Sequence, residues 1–150
     1  MKVIIDSREQ QPFEFTSSKI DETICTKLDT GDYSVEGFED KLAIERKASV
    51  SEFYQNVTQD RFWREMERLQ KYKYKFIIFE FSVSEVEMFP HGSDLPKAVR
   101  NRLKISSAYL MKCIARLQVQ YGINVIFGEN RDNSVYLVTN IMKEVYERES

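Results

Sequence analysis

The chain has 150 residues, 42% of them hydrophobic, with ten Phe and eight Tyr. That is enough apolar material for one core and excludes a disordered chain. The net charge is −2, so any nucleic-acid binding must come from local patches rather than bulk charge. Cys25 and Cys113 form no CxxC, and His91 is the single histidine, which excludes a disulfide framework, a zinc-ribbon cluster and an HExxH pair. No signal-like N-terminus or apolar run of about 18 residues is present, so an intracellular, cytoplasmic or nucleoid/nuclear protein without a membrane span is expected.

In chain order, "KVII" reads as a buried strand that ends at the polar Asp6. A weak helix is expected near Lys19–Ile24. "CTKLDTGDYSV" reads as a strand, a turn at Thr30-Gly31 and the start of a second strand. "KLAIERK" is a third strand, separated from the second by "EGFED". A helical region follows from Val50 to Tyr72, with a bend near Thr58. Its N-terminus carries a capping-box pattern, Ser49 with Glu52 three residues on.

"KFIIFEF" (75–81) is a buried strand, and "SEVEMFPHGSDLP" reads as a loop broken by Pro90, Gly92 and Pro96. Lys97 to Tyr121 predicts one long amphipathic helix stopped by Gly122. "INVIF" is a strand, Gly128–Asn133 a turn and Val135–Tyr146 a last helix with an acidic tail. Strands alternating with helices predict an α/β fold with a central mixed sheet flanked by helices. No repeat or linker divides the chain, so a single domain over 1–150 is expected.

The chemistry concentrates at the end of the third strand. Strand alternation puts Glu45 and Lys47 on the Ala43 face and Arg46 on the other. Glu-x-Lys supplies an oxygen ligand for a divalent cation and a positive charge for a phosphodiester under attack. Further carboxylates come from Asp32, if the strands around "EGFED" form a hairpin, and from Asp6 and Glu9 at the end of the first strand. Arg8 beside them suits phosphate. Each motif alone is common; the combination is not.

"VIIDSRE", "LDTGDYSV" and "LAIERKASVSEF" resemble, in order and spacing, the XPF/Hef-type nuclease domain of the PD-(D/E)xK, restriction-endonuclease-like superfamily. "YKYKFIIFEF" and "YGINVIF" resemble later strands of that domain, and Asp60-Arg61-Phe62 loosely matches its GRF/GRL element. The resemblance implies a restriction-endonuclease-like fold and a metal-dependent DNA endonuclease that leaves a 5′-phosphate and a 3′-hydroxyl. It implies Mg²⁺ or Mn²⁺ held by Asp32, Glu45 and Asp6 with the Arg46 backbone carbonyl. Lys47 would orient or activate water, with Arg46 and Glu9 completing the catalytic set. The family's usual substrate is branched or flap DNA. Helix-hairpin-helix motifs are not found in this sequence, so targeting is expected from a homodimer or a partner protein. The signature's final Asp falls on Ser51, followed by Glu52. The alternatives are a catalytically silent DNA-binding or scaffold module, and a superfamily nuclease with another target, such as a resolvase.

From Leu95 to Gly128 six cations stand with no acid, which leaves −8 for the rest of the chain. DNA contacts are therefore expected from Lys97, Arg100, Arg102 and Lys104. Arg61 and Arg64, near the motif, are expected to join them together with Arg8. Trp63 suits a core or interface better than a base stack, and His91 and Glu80 read as structural.

Overall fold

A computed structural model describes residues 1–103 and 106–150. Its elements in chain order are β1 (Lys2–Asp6), β2 (Glu22–Thr26), β3 (Tyr33–Val35), β4 (Leu42–Lys47), α1 (Val50–Val57) and α2 (Asp60–Leu69). They continue with β5 (Tyr74–Phe79), α3 (Val83–Met88), α4 (Lys97–Arg100), α5 (Ser107–Val119), β6 (Asn124–Phe127) and α6 (Arg131–Glu149). The strands form one mixed sheet in the order β2-β1-β3-β4-β5-β6. β3 runs antiparallel to both β1 and β4, while β4, β5 and β6 are parallel.

Two cores follow from the alternation of strand side chains. Ala43, Ile77 and Phe79 face α1, α2 and α5 through Phe53, Phe62, Met66, Leu110 and Leu117. Leu42, Ile44 and Ile78 face α6 through Val138, Met142 and Val145. Each large side chain buried this way contributes about 1.5–3 kcal/mol. The sheet is therefore sandwiched at β4 and β5, which explains the near-continuous apolar sequences there.

Four expectations need correction. The weak helix over Lys19–Ile24 is replaced by the edge strand β2, paired in parallel along all of β1. β2 is mostly exposed, so it lacks the apolar alternation that marks a strand. The loop after β5 contains α3, capped by the Ser82 hydroxyl accepting from the Glu85 amide at 3.1 Å. This Ser-x-x-Glu start repeats the pattern at Ser49 and was legible in the sequence. The long helix from Lys97 is instead α4 and α5, with Ser106 as a new N-cap. The last helix starts earlier and ends later than expected, capped by Asn130 and held at its acidic end by Lys41, Lys73 and Tyr74 on Glu149.

Candidate active site

Asp32 is fixed by backbone on both sides. Its amide donates to the Ile44 carbonyl at 2.8 Å, and its carbonyl accepts from the Asp6 amide at 2.8 Å. The expected hairpin exists, with Tyr33 opposite Ile44. Gly31 permits the approach: its φ is +86°, and a Cβ there would lie 3.2 Å from the Ile44 backbone. One Asp32 carboxylate oxygen accepts from the Arg46 amide at 2.8 Å.

β4 supplies the partners as alternation requires. Glu45 and Asp32 line the same cavities, close enough for the charge of one to act on the other. Lys47 Nζ lies 3.5 Å from Glu45 Oε1 and 5.5 Å from the centre of the Phe62 ring. Burial, and then the neighbouring Glu45 charge, push the Asp32 carboxyl well above the usual carboxylate range. Burial also raises Glu45, against the pull of Lys47. Burial works against the charge on Lys47, but Glu45, Glu52 and Asp32 outweigh it and its pKa is raised. Lys47 is therefore a fixed cation at neutral pH.

The remaining predicted residues divide. The Asp6 carboxylate accepts from the Leu28 amide at 2.8 Å and from the Arg8 guanidinium at 3.0 and 3.3 Å. Burial opposes its charge, but these donors hold its pKa below the ordinary value. The Asp6 carboxylate thus lines both cavities that hold Asp32 and Glu45, with its oxygens already accepting from Arg8 and Leu28. The Arg46 side chain points to the other face of β4. It is clamped between Glu9, at 2.7 and 3.2 Å, and Glu80, and all three side chains are buried. Burial opposes the Glu9 charge, which Arg46 and the Gln11 and Gln10 amides nevertheless keep ionised below its usual pKa. The side chains of Glu9 and Arg46 thus form a support behind the acids, with Glu80 as an unforeseen third member.

A cleft of about 330 Å³ opens between Asp6, Arg8, Gln10, Gln11, Asp32, Glu45, Lys47 and Glu52. A second cavity of about 240 Å³ shares Asp32, Glu45 and Arg8 and adds Asp29, Glu65, Arg61 and Arg68. Sequence reasoning reads Arg68 as part of a basic set diluted by Glu65 and does not place either beside Asp32 and Glu45. Their signal was the spacing of Arg61, Glu65 and Arg68, which puts all three on one helix face. Glu52 accepts from the Ala48 amide at 2.8 Å, and Ser51 donates to Asp94 at 2.9 Å, so the signature's last position is structural.

The predicted basic residues also divide. Arg8 and Arg61 line the acid cavities. Arg64 lies in a separate patch with Arg68 and Lys71. Arg100 lines another groove with His91, and its guanidinium donates to the Leu95 carbonyl. Lys97 is exposed and Arg102 is spent on the Ala98 carbonyl. Among the described residues, none of these three lines the acid cavities. Lys104 lies outside the described residues. Trp63 donates to the Val57 carbonyl and packs under the Arg116 guanidinium, a structural role.

A divalent cation suits what stands here. Two carboxyls, both made hard to ionise, meet at one point, where a cation removes the cost. The Arg46 amide faces Asp32, so by strand geometry its carbonyl is turned to the same side. Among the described residues no three Asp, Glu, His or Cys side chains converge closely enough to hold a metal alone. The fit is thus two carboxylates and a backbone oxygen, completed by solvent or substrate.

The model of the ERCC4 domain matches residues 5–141. Among solved structures, XPF from Aeropyrum pernix is similar with a TM-score of 0.69 and 24% identity over 99% of this chain. The same protein in complex with DNA gives 0.68 and 25% over 98%. This chain spans 66% and 65% of those chains, slightly under two thirds. No curated protein matches it.

Proposed function

The chain belongs to the ERCC4 domain family, and from that premise we propose that it is a metal-dependent DNA endonuclease. Its products would be a 5′-phosphate and a 3′-hydroxyl, and its preferred substrates branched or flap DNA. The observation that carries this reading is the meeting of Asp32, Glu45 and Lys47 at the mouth of one cleft. The relative solved with DNA supports the choice of polymer.

Asp32, Glu45 and the Arg46 carbonyl would hold Mg²⁺ or Mn²⁺. When bound, that ion supplies Lewis acidity toward the phosphate and makes water more acidic. With that ion held, Asp32 and Glu45 would stand as carboxylates and orient it toward the scissile phosphate. Lys47, kept cationic by its acidic neighbours, stabilises charge that develops on the phosphate oxygens. Arg8 and Arg61 flank the cavities as phosphate anchors, each already poised beside a carboxylate, Asp6 and Glu65. Residues 1–150 act as one nuclease domain, with a second copy or a partner protein supplying DNA targeting. Among the described residues no helix is long and apolar enough to cross a membrane.

The test uses labelled flap, splayed-arm, Holliday-junction and linear duplex DNA with Mg²⁺, Mn²⁺ or chelator. Wild type should cut at least one branched substrate, and chelator, Glu45→Ala and Lys47→Ala should each abolish cutting. Cleavage that survives Glu45→Ala removes the mechanism. Binding without cleavage of any substrate favours a silent DNA-binding module.

A further inference from the structure

The cleft has one wall that is neither strand nor helix. After β1 the chain continues as a short strap, residues 9–13, and its Gln10 and Gln11 line the cleft together with Glu52. Exposed chain of this kind ordinarily frays, yet this strap is fastened at Glu9, Gln11, Pro12 and Phe13. Glu9 is buried on Arg46 and also accepts from the Gln11 amide at 3.1 Å. The Phe13 amide donates to the Tyr33 hydroxyl at 2.8 Å, and the two rings stack at 5.1 Å. The last fastener is remote in sequence. Arg131, the first residue of α6, donates to the Gln11 and Pro12 carbonyls at 3.1 and 2.8 Å, and reaches Glu80 at 3.4 Å. Its guanidinium lies 5.0 Å from the centre of the Phe13 ring, with Arg46 at 5.6 Å from the same ring.

We propose that Arg131 is a positioning residue for the cleft: it locks the strap so that the Gln10 and Gln11 amides form a fixed wall that grips the sugar–phosphate backbone beside the scissile bond. A side-chain amide donates through its NH2 group, so it suits phosphate and deoxyribose ring oxygens without reading sequence. An arginine is required because one planar group must span two adjacent carbonyls and a carboxylate. The inference rests on the nuclease reading above, but the state of the strap is measurable without it.

Amide hydrogen exchange and steady-state cleavage of flap DNA are compared for wild type, Arg131→Ala, Arg131→Lys, Gln10→Ala/Gln11→Ala and the triple variant. In Arg131→Ala the Gln11 and Phe13 amides should exchange about tenfold faster while β4 amides keep their protection. KM should rise about fivefold with kcat within about twofold, and Arg131→Lys should recover part of both. The Gln10→Ala/Gln11→Ala variant should show the same KM rise, and adding Arg131→Ala to it should change KM by less than about twofold. Unchanged strap exchange, a fall in kcat at constant KM, or full additivity with the glutamine variants overturns the proposal. Should wild type cut no DNA, the nuclease reading fails, and the exchange data with DNA affinity by fluorescence anisotropy decide on the strap alone. Released strap amides with weakened binding then uphold it, and unchanged ones overturn it.

Discussion

The Arg46 amide donates to the Asp32 carboxylate across 14 residues of sequence at 2.8 Å. This bond joins the turn before β3 to the end of β4. It sets Asp32 beside Glu45 and turns the Arg46 carbonyl toward the same point.

Asp32 sits where burial and Glu45 disfavour its charge. A carboxyl raised in the folded state contributes stability below its unfolded pKa, and that stability is lost as pH rises. In the metal-free protein, ionisation of the Asp32–Glu45 pair therefore opposes folding. Asp32→Asn keeps an acceptor for the Arg46 amide and should raise the metal-free Tm by about 2–4 °C. It should lower cleavage by about a thousandfold or more. Mg²⁺ should raise the Tm of wild type but not of the variant, as read by scanning calorimetry.

Lys47 stays charged because three acids outweigh its burial. Lys47→Met should cut kcat by about 10²–10³ with little change in KM. Lys47→Arg keeps the positive charge and should retain more activity than Lys47→Met, as a fixed cation requires. A basic limb near pH 8 that vanishes in Lys47→Arg would assign the proton transfer to this residue and defeat the fixed-cation role.

Arg46→Leu leaves Glu9 and Glu80 buried without their shared cation. Removing one partner from such a pair costs about 3–5 kcal/mol. Urea unfolding should show that loss, and Arg131 should not compensate, because it meets only Glu80 of the two acids. An unchanged midpoint would mean that water reaches the two carboxylates.

Glu149 receives the Lys73 and Lys41 ammonium groups and the Tyr74 hydroxyl, which lower its pKa from the ordinary 4.5 to about 2. A depressed carboxylate contributes stability above its unfolded pKa and loses it as pH falls through the folded value. Wild type should therefore lose Tm between pH 4.5 and 2. Glu149→Gln should begin lower at pH 6 and show a shallower decline over that interval, measured by circular dichroism.

Much of the site was legible before the fold. The sequence alone placed Glu45 and Lys47 on one side of a strand, because side chains alternate whatever the strand packs against. It also marked Ser49 as a helix start and Gly31-Asp32 as a turn beside a hairpin. Its apolar content determined a sandwiched sheet at β4 and β5. Tertiary structure decided which charges are free. Asp6 and Arg46 look like reactive groups in sequence, yet Leu28, Arg8, Glu9 and Glu80 consume them, and these partners lie up to 37 positions away. The run of cations after Leu95 looked like one helical face, but the break between α4 and α5 scatters it. The division follows from range. Periodicity and caps act within a turn or two of chain, whereas burial of a charge depends on segments that meet only after folding, as Arg131 meets the strap at residues 11 and 12.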